Sequence, residues 1–371
     1  MIVDTTLRDG EQTPGVNFST KEKLAIAIQL DQAGVACIEA GTPAMGRAEK
    51  QAIKEIIELG LNSQIVPWNR ALERDVDHSL EIGAQWVHIS LPVSSNLMFK
   101  KMGYQPNQIL AQLERVGRYV VAAGAKLSVG AEDATRAEAE FLLDYGLLAQ
   151  EIGAKRLRLC DTVGIMDPFS LKARLGDLIK KLQVPVEIHA HNDLGMATAN
   201  ALAAFDAGAK WIDTTVLGLG ERAGNTPLEE IVLALKITRG VDVGVKLDKL
   251  AKLAALVSQA AGRPIPEGKS ILGPKVFCHE SGIHVDGVLK DPTNYEPFSP
   301  ELVGASRSFL IGKHSGSKAV LYKLAELGLT LSQAKLGPLV RLILERAGRH
   351  KGGLSDDHIR HLALAQPKSS L

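Results

Sequence analysis

The sequence predicts an α/β chain folded as a (β/α)8 TIM barrel and followed by a mostly irregular and helical C-terminal lid segment. Three observations carry that expectation. A helical stretch that ends in Ala-Gly or Ile-Gly and runs at once into a short apolar segment recurs in DQAGVACIEA, EIGAQWVHIS, VAAGAKLSVG, EIGAKRLRLC and DAGAKWIDTT. Each glycine can take the left-handed geometry that ends a helix, and the residues after it have the composition of a buried strand. Filling the gaps gives eight alternating units in about 240 residues, the number and length of such a barrel. Polar groups also gather after nearly every strand, at Arg8-Asp9, Glu39, Asn69, His88, Glu132, Asp161-Thr162, His189-His191 and Asp213. A barrel collects these ends in one ring, whereas a doubly wound open sheet would spread them along an edge.

Taken in order, strands are expected at 1–5, 35–40, 62–67, 85–91, 125–131, 155–160, 184–190 and 210–216. Helical periodicity fills 20–33, 47–59, 71–82, 106–123, 135–152, 169–181, 195–207 and 226–237. VKLDKLAKLAALVSQAAGRP then reads as an amphipathic helix closed by Gly-Arg-Pro, and a Gly/Pro-rich stretch runs from Pro264 to about Lys313. Residues 315–347 return to helical patterning, and the sequence after Gly352 is polar. The division is therefore 1–240 for the catalytic barrel, 241–350 for a linker, lid and helical region, and 351–371 for a loosely held tail. A long irregular stretch of this kind usually forms a lid or a partner-wrapping arm.

Composition narrows the function. Of 371 residues 45% are hydrophobic and 23% charged, the balance of a compact protein. Lys+Arg 43 against Asp+Glu 42 leaves a formal charge of +1, so no global field draws the chain to nucleic acid or to an anionic membrane. No apolar run is long enough to span a bilayer, and MIVDTTLRDG lacks the apolar core of a secretory signal. Cys37, Cys160 and Cys278 form no CxxC pair, which suits a soluble cytoplasmic protein without disulfides or thiolate zinc.

EIHAHND, residues 187–193, puts His189 and His191 on one face of a strand, and neutral imidazoles are good ligands for a divalent ion. The alternative is one packed histidine and one hydrogen-bonding histidine. Asp9 is the best third ligand, and a mixed oxygen and nitrogen set suits Mg, Mn, Zn, Fe or Co without choosing among them. Arg8 beside it could clamp a carboxylate or share an oxyanion's charge, or simply pair with Asp9 or Glu11. In GLGERAGNTPLEE, residues 218–230, the glycines match neither a P-loop nor a dinucleotide fingerprint; they could form an anion nest or merely turn the chain, and Asn225 could join the metal shell. FCHESGIH and IGKHSG place His279, His284, Lys313 and His314 beyond the barrel, where hydrogen-bonding or acid/base roles fit better than a second metal.

Together, LRDGEQTPG, DTVG, EIHAHNDLGMATAN, GLGERAGNTPLEE, HESGIHVDG and IGKHSG resemble the acyl-CoA condensing enzymes that include homocitrate, 2-isopropylmalate and citramalate synthases. The resemblance implies a homodimer with exchanged lids, one divalent metal ion, and acetyl-CoA as co-substrate. It implies Asp9, His189 and His191 as metal ligands with Asn225 at or near the metal shell, and catalytic roles for Arg8, Glu132, His279 and Tyr295. Thr162 matches the threonine that holds a carboxylate of the 2-oxo acid, and Gln12, Asn69, Arg70, His88, Lys126 and Ser128 are the further substrate contacts. The lysine-biosynthetic members carry an arginine on the fifth strand for the distal carboxylate of 2-oxoglutarate; here KLSVGAEDATR offers Lys126 and Ser128, and WNRA offers Asn69 and Arg70. Those segments are similar to the homocitrate synthases that serve nitrogenase cofactor assembly. The expected reaction joins acetyl-CoA to 2-oxoglutarate and releases homocitrate and CoA. Synthases acting on 2-oxoisovalerate or pyruvate are the alternative, and aldol-type acyl-CoA lyases are more remote because HESGIH and IGKHSG count against them. A non-catalytic metal- or acyl-CoA-binding subunit would lack ligands that are all present.

Overall fold

The computed structural model describes residues 1–330 and 332–365, and the chain divides into two compact units, Met1–Ile265 and Pro266–Leu371. In the first, eight parallel strands close into a barrel in sequence order. They are β1 (Ile2–Asp4), β2 (Cys37–Gly41), β3 (Gln64–Arg70), β4 (Trp86–Pro92), β5 (Lys126–Glu132), β6 (Arg156–Asp161), β7 (Val186–Ala190) and β8 (Trp211–Thr214). The intervening helices are α1 (Thr20–Ala33), α2 (Arg47–Glu58), α3 (Glu73–Glu81), α4 (Pro106–Ala122), α5 (Ala139–Glu151), α6 (Pro168–Ile179), α7 (Ala197–Ala207) and α8 (Leu228–Arg239), and α9 (Leu250–Ala260) packs on α1. The expected barrel is therefore present.

Local chemistry explains the boundaries. Ser19 and Glu22 form a reciprocal capping box at the start of α1. Gly34 ends that helix at φ 86°, and a Cβ there would lie 2.3 Å from the Gly244 carbonyl oxygen, so only glycine fits. β8 is shorter than its predicted window because the chain turns into a 3-10 segment, Val216–Gly218, in which Leu217 has φ 61°.

The barrel interior is layered. Val3, Cys37, Val66 and Trp211 form an apolar floor at the N-terminal end, with Trp86 packed against it. Above it lie Arg156 and Arg158, 1% and 2% exposed, which would be costly alone. They are neutralised by buried carboxylates: Arg156 Nε lies 2.6 Å from Glu187 Oε2, and Arg158 pairs with Glu187, with Glu39 at 2.8 Å and with Asp213 at 3.4 Å. This ionic layer supports the C-terminal rim.

The second unit contains β9 (Cys278–His279), α10 (Gly282–Lys290), β10 (Ser308–Phe309), α11 (Ser317–Glu326), α12 (Gln333–Ala347) and α13 (Asp356–Leu364). β9 and β10 pair in parallel, and Val285, Phe309, Val320, Leu339, Ile343 and Ile359 share a core. Two expectations need correction. The Gly/Pro-rich stretch is not wholly irregular, since α10 lies inside it. Part of the expected loose tail is α13, whose Ile359 and Ala363 are buried, while residues 366–371 lie outside the described residues. Among the described residues no helix is long and apolar enough to cross a membrane.

Candidate active site

At the C-terminal ends of β1 and β7, Asp9, His189 and His191 converge, all three buried. His189 Nε2 lies 3.1 Å from both Asp9 Oδ2 and His191 Nε2, and His191 Nε2 lies 4.0 Å from Asp9 Oδ2. Two ring nitrogens and a carboxylate oxygen 3.1 to 4.0 Å apart match the edges of a coordination shell with bonds of about 2.1 Å. Asp9 Oδ2 and Asn225 Oδ1 are buried without a hydrogen-bond partner, as expected of atoms shaped to bind a cation. The donor set therefore fits one divalent metal ion.

The surroundings fix each donor. Asp213 Oδ2 lies 2.8 Å from His189 Nδ1, which orients the ring and leaves Nε2 for a metal. Burial works to lower the His189 pKa, but its bonds to Asp213 and Asp9 outweigh it and raise it to about 9 in the absence of metal. His191 is pushed down to about 3 by burial and by its neighbour His189. Burial opposes the Asp9 charge, yet Arg8 and His189 hold its carboxyl well below the usual range. Asn225 Nδ2 donates to the Leu219 carbonyl at 2.9 Å, and a Cβ on Gly220 would strike that amide nitrogen at 2.3 Å. The glycines of GLGERAGN thus shape a loop around Asn225.

Beside these donors is a cavity of about 220 Å3, lined by Arg8, Gln12, His88, Glu132 and Thr162 from among the expected residues, together with the metal-ligand triad. Arg8 Nε is held 2.5 Å from Glu39 Oε2, with Nη1 3.4 Å from Asp9. Thr162 Oγ1 accepts from the Asp133 amide at 2.8 Å, which leaves its hydroxyl proton free to donate. Glu132 Oε1 is 3.1 Å from Lys101 Nζ.

Four expected contacts are not brought to this cavity. Arg70 points to solvent and pairs with Asp75 at 2.6 Å. Lys126 begins β5, at the opposite end of that strand from Glu132, with its ammonium over the Trp86 ring. Asn69 is buried, donating to the His88 carbonyl and accepting from Ser79. Ser128 lies within β5, 2.9 Å from His88 Nδ1, and does not line the cavity. Sequence reasoning missed Trp68, Ser90, Arg158, Cys160, Glu221 and Arg222, which do. The alternation in RLRLC was the available signal for Arg158.

His279 and Tyr295 belong to the second unit. His279 Nε2 lies 3.2 Å from Glu296 Oε1, and Arg307 clamps Glu296 through both of its oxygens. Tyr295 stacks on His284 with centroids 4.2 Å apart.

Comparison with known proteins agrees with this geometry. The family described as HMGL-like matches residues 1–257, and the one described as homocitrate synthase post-HMGL domain-like matches residues 271–351. This chain belongs to the HMGL-like family. Within it, the chain falls among the acyl-CoA condensing enzymes. It is 45% identical over 366 residues to homocitrate synthase 1 of Nostoc sp., covering 99% of this chain and 97% of that protein. It is 44% identical over 361 residues to 2-isopropylmalate synthase 2 of Caldanaerobacter subterraneus, covering 97% and 94%. Among solved structures it is similar to the HMG-CoA lyase of Bacillus subtilis, with a TM-score of 0.65 at 22% identity over 72% of this chain and 95% of that one, a likeness of fold alone. The family chemistry is condensing or aldol-type, between an acyl-CoA thioester and a 2-oxo acid.

Proposed function

We propose that this protein is a homocitrate synthase, of the kind that serves nitrogenase cofactor assembly, joining acetyl-CoA to 2-oxoglutarate and hydrolysing the thioester to (R)-homocitrate and CoA. The observation that carries the choice of 2-oxo acid is the cavity lining, which among the described residues contains no leucine, isoleucine or valine. A branched apolar 2-oxo acid would find only Trp68 and Cys160 to bury against, whereas a second carboxylate suits a wall of arginine, histidine and serine.

A divalent ion held by Asp9, His189 and His191, with Asn225 at its edge, supplies Lewis-acid polarisation of the 2-oxo group. Arg8, anchored on Glu39, shares the negative charge that develops on the keto oxygen as carbon attacks it. Thr162 donates its hydroxyl to the C1 carboxylate, and Gln12 closes the same side. The acetyl methyl proton passes to His279, supplied by the other subunit of a homodimer with exchanged lids. Glu296 occupies Nε2 of that ring, so Nδ1 is the nitrogen left to take the proton. Tyr295 and Glu132 assist in proton transfer, and water then cleaves the homocitryl thioester.

The test is thiol release from acetyl-CoA with 2-oxoglutarate, 2-oxoisovalerate, pyruvate and oxaloacetate side by side. The expected preference is for 2-oxoglutarate, and a clear preference for 2-oxoisovalerate would overturn the substrate while sparing the reaction class. His279→Gln should lower turnover by about 10²-fold or more with metal content unchanged; loss of metal would put that residue in the wrong role.

A further inference from the structure

With Arg70 and Lys126 away from the cavity and Ser128 beneath His88, the distal carboxylate of 2-oxoglutarate still lacks a partner, and leaving it unpaired in a closed pocket is costly. We propose that Arg158 reads this carboxylate, in a niche over Gly130 walled by His88 and Ser90. The assignment rests on the homocitrate reading above and goes beyond it by naming the group that selects the substrate.

Arg158 is 2% exposed and lines the cavity. Its Nε is committed to Glu187 and its Nη1 to Glu39 and Asp213. Nη2 is buried with no hydrogen-bond partner. A guanidinium nitrogen in that state carries a desolvation penalty that a ligand carboxylate would relieve. The three carboxylates hold the guanidinium in place, so little side-chain entropy remains to be lost on binding.

Register creates the niche. Gly130 on β5 lies beside Ser90 on β4 and Arg158 on β6. A Cβ on Gly130 would come within 2.7 Å of His88 Nε2 and 2.9 Å of Ser90 Oγ, so the missing side chain is what leaves room between them. Ser128 Oγ lies 2.9 Å from His88 Nδ1, and the tautomer in which the serine donates to Nδ1 carries the ring proton on Nε2. Burial, reinforced by Arg158, keeps this histidine neutral. Nε2 is also buried without a partner. The niche thus presents an unpaired guanidinium N–H, an imidazole nitrogen that donates in that tautomer, and a serine hydroxyl, which suits a carboxylate and leaves a terminal methyl group with nothing to satisfy them.

The experiment measures kcat/KM of the metal-loaded enzyme for 2-oxoglutarate and for 2-oxovalerate, which carries a methyl group in place of the distal carboxylate. Arg158 also holds Glu39 and Asp213, so Arg158→Gln is paired with Gly130→Ala, which fills the niche and leaves every ion pair intact. Gly130→Ala should lose about 10²-fold or more with 2-oxoglutarate, mainly through KM, and less than about fivefold with 2-oxovalerate. A folded Arg158→Gln also loosens Glu39 and Asp213, so it should lose activity with both acids, the loss being greater by about tenfold or more with 2-oxoglutarate. Equal losses with both acids, in Gly130→Ala or in a folded Arg158→Gln, would overturn the assignment. The wild type is read first: if it prefers 2-oxoisovalerate to 2-oxoglutarate, the homocitrate reading fails before any substitution is made.

Discussion

The two sides of the barrel rim are built on opposite electrostatic plans. On the side of β1, β7 and β8, lone pairs collect: Asp9, His189 and His191 turn ligand atoms toward one another, Asn225 Oδ1 is buried without a partner, and Asp213 fixes the His189 tautomer from behind. On the side of β4, β5 and β6, the unpartnered atoms are the donors Arg156 Nη1 and Arg158 Nη2 together with His88 Nε2. Acceptors collect a cation and donors collect an anion, so one cavity can hold a metal and a dicarboxylate without either competing for the other's ligands. Glu39 joins the sides, because it holds Arg8 Nε through one oxygen and Arg158 Nη1 through the other.

Breaking the acceptor side should have the largest effect. His189→Ala or Asp9→Asn should abolish stoichiometric metal binding in equilibrium dialysis and lower turnover by about 10³-fold or more. A variant that kept its full metal content would show that the two sides do not divide the work in this way. Asp213→Asn is gentler, since it keeps the ligands and loosens only the orientation of His189. Metal affinity should weaken by about 10- to 100-fold, and an unchanged affinity would reduce Asp213 to a partner of Arg158. On the donor side, Arg70→Ala and Lys126→Ala should change kcat/KM for 2-oxoglutarate by less than about twofold, because neither side chain lines the cavity. A loss of tenfold or more in either would move the anion site away from Arg158.

The two sides were also unequally legible in the sequence. The acceptor side lies in contiguous motifs at strand ends, where a spacing of two residues is enough to put His189 and His191 together. The donor side is written as alternation inside β6, where Leu157 and Leu159 pack outward and Arg156 and Arg158 face the barrel interior. Interiors of such barrels are usually filled by branched apolar side chains, so strand arginines carry no motif that announces them. Lys126 misled for a related reason. It shares β5 with Glu132, but six residues of strand span about 20 Å, enough to carry it from one end of the barrel to the other. In the second unit, glycines obscured α10: Gly287 reads as a breaker, yet the Tyr295 ring lies 2.3 Å from where its Cβ would be, so packing and not chain reversal demands the glycine.

The acceptor side carries one more carboxylate, and its effect should be the smallest. Asp4 lies on β1 next to inward-facing Val3, so alternation turns it out of the barrel. It is fully buried, and burial raises its pKa from the ordinary 3.8 to about 7 against the opposing bonds from Thr6 and Thr214. Thr214 Oγ1 donates to the Val3 carbonyl at 3.0 Å and only distantly to Asp4 Oδ2 at 3.4 Å, too weak a bond to offset the burial. Because the folded pKa lies above the unfolded one, the folded state binds more protons than the unfolded state between about pH 4 and pH 7, and this group's contribution to stability falls as pH rises through that window. Asp4→Asn keeps an acceptor for the Thr6 amide without the titration. The variant should therefore gain a few degrees in Tm relative to wild type at pH 8 compared with pH 5, at about 2–4 °C per kcal/mol. A Tm difference that did not change with pH would mean that Asp4 is ionised in the folded barrel, and the back of β1 would then carry a buried charge that nothing around it neutralises.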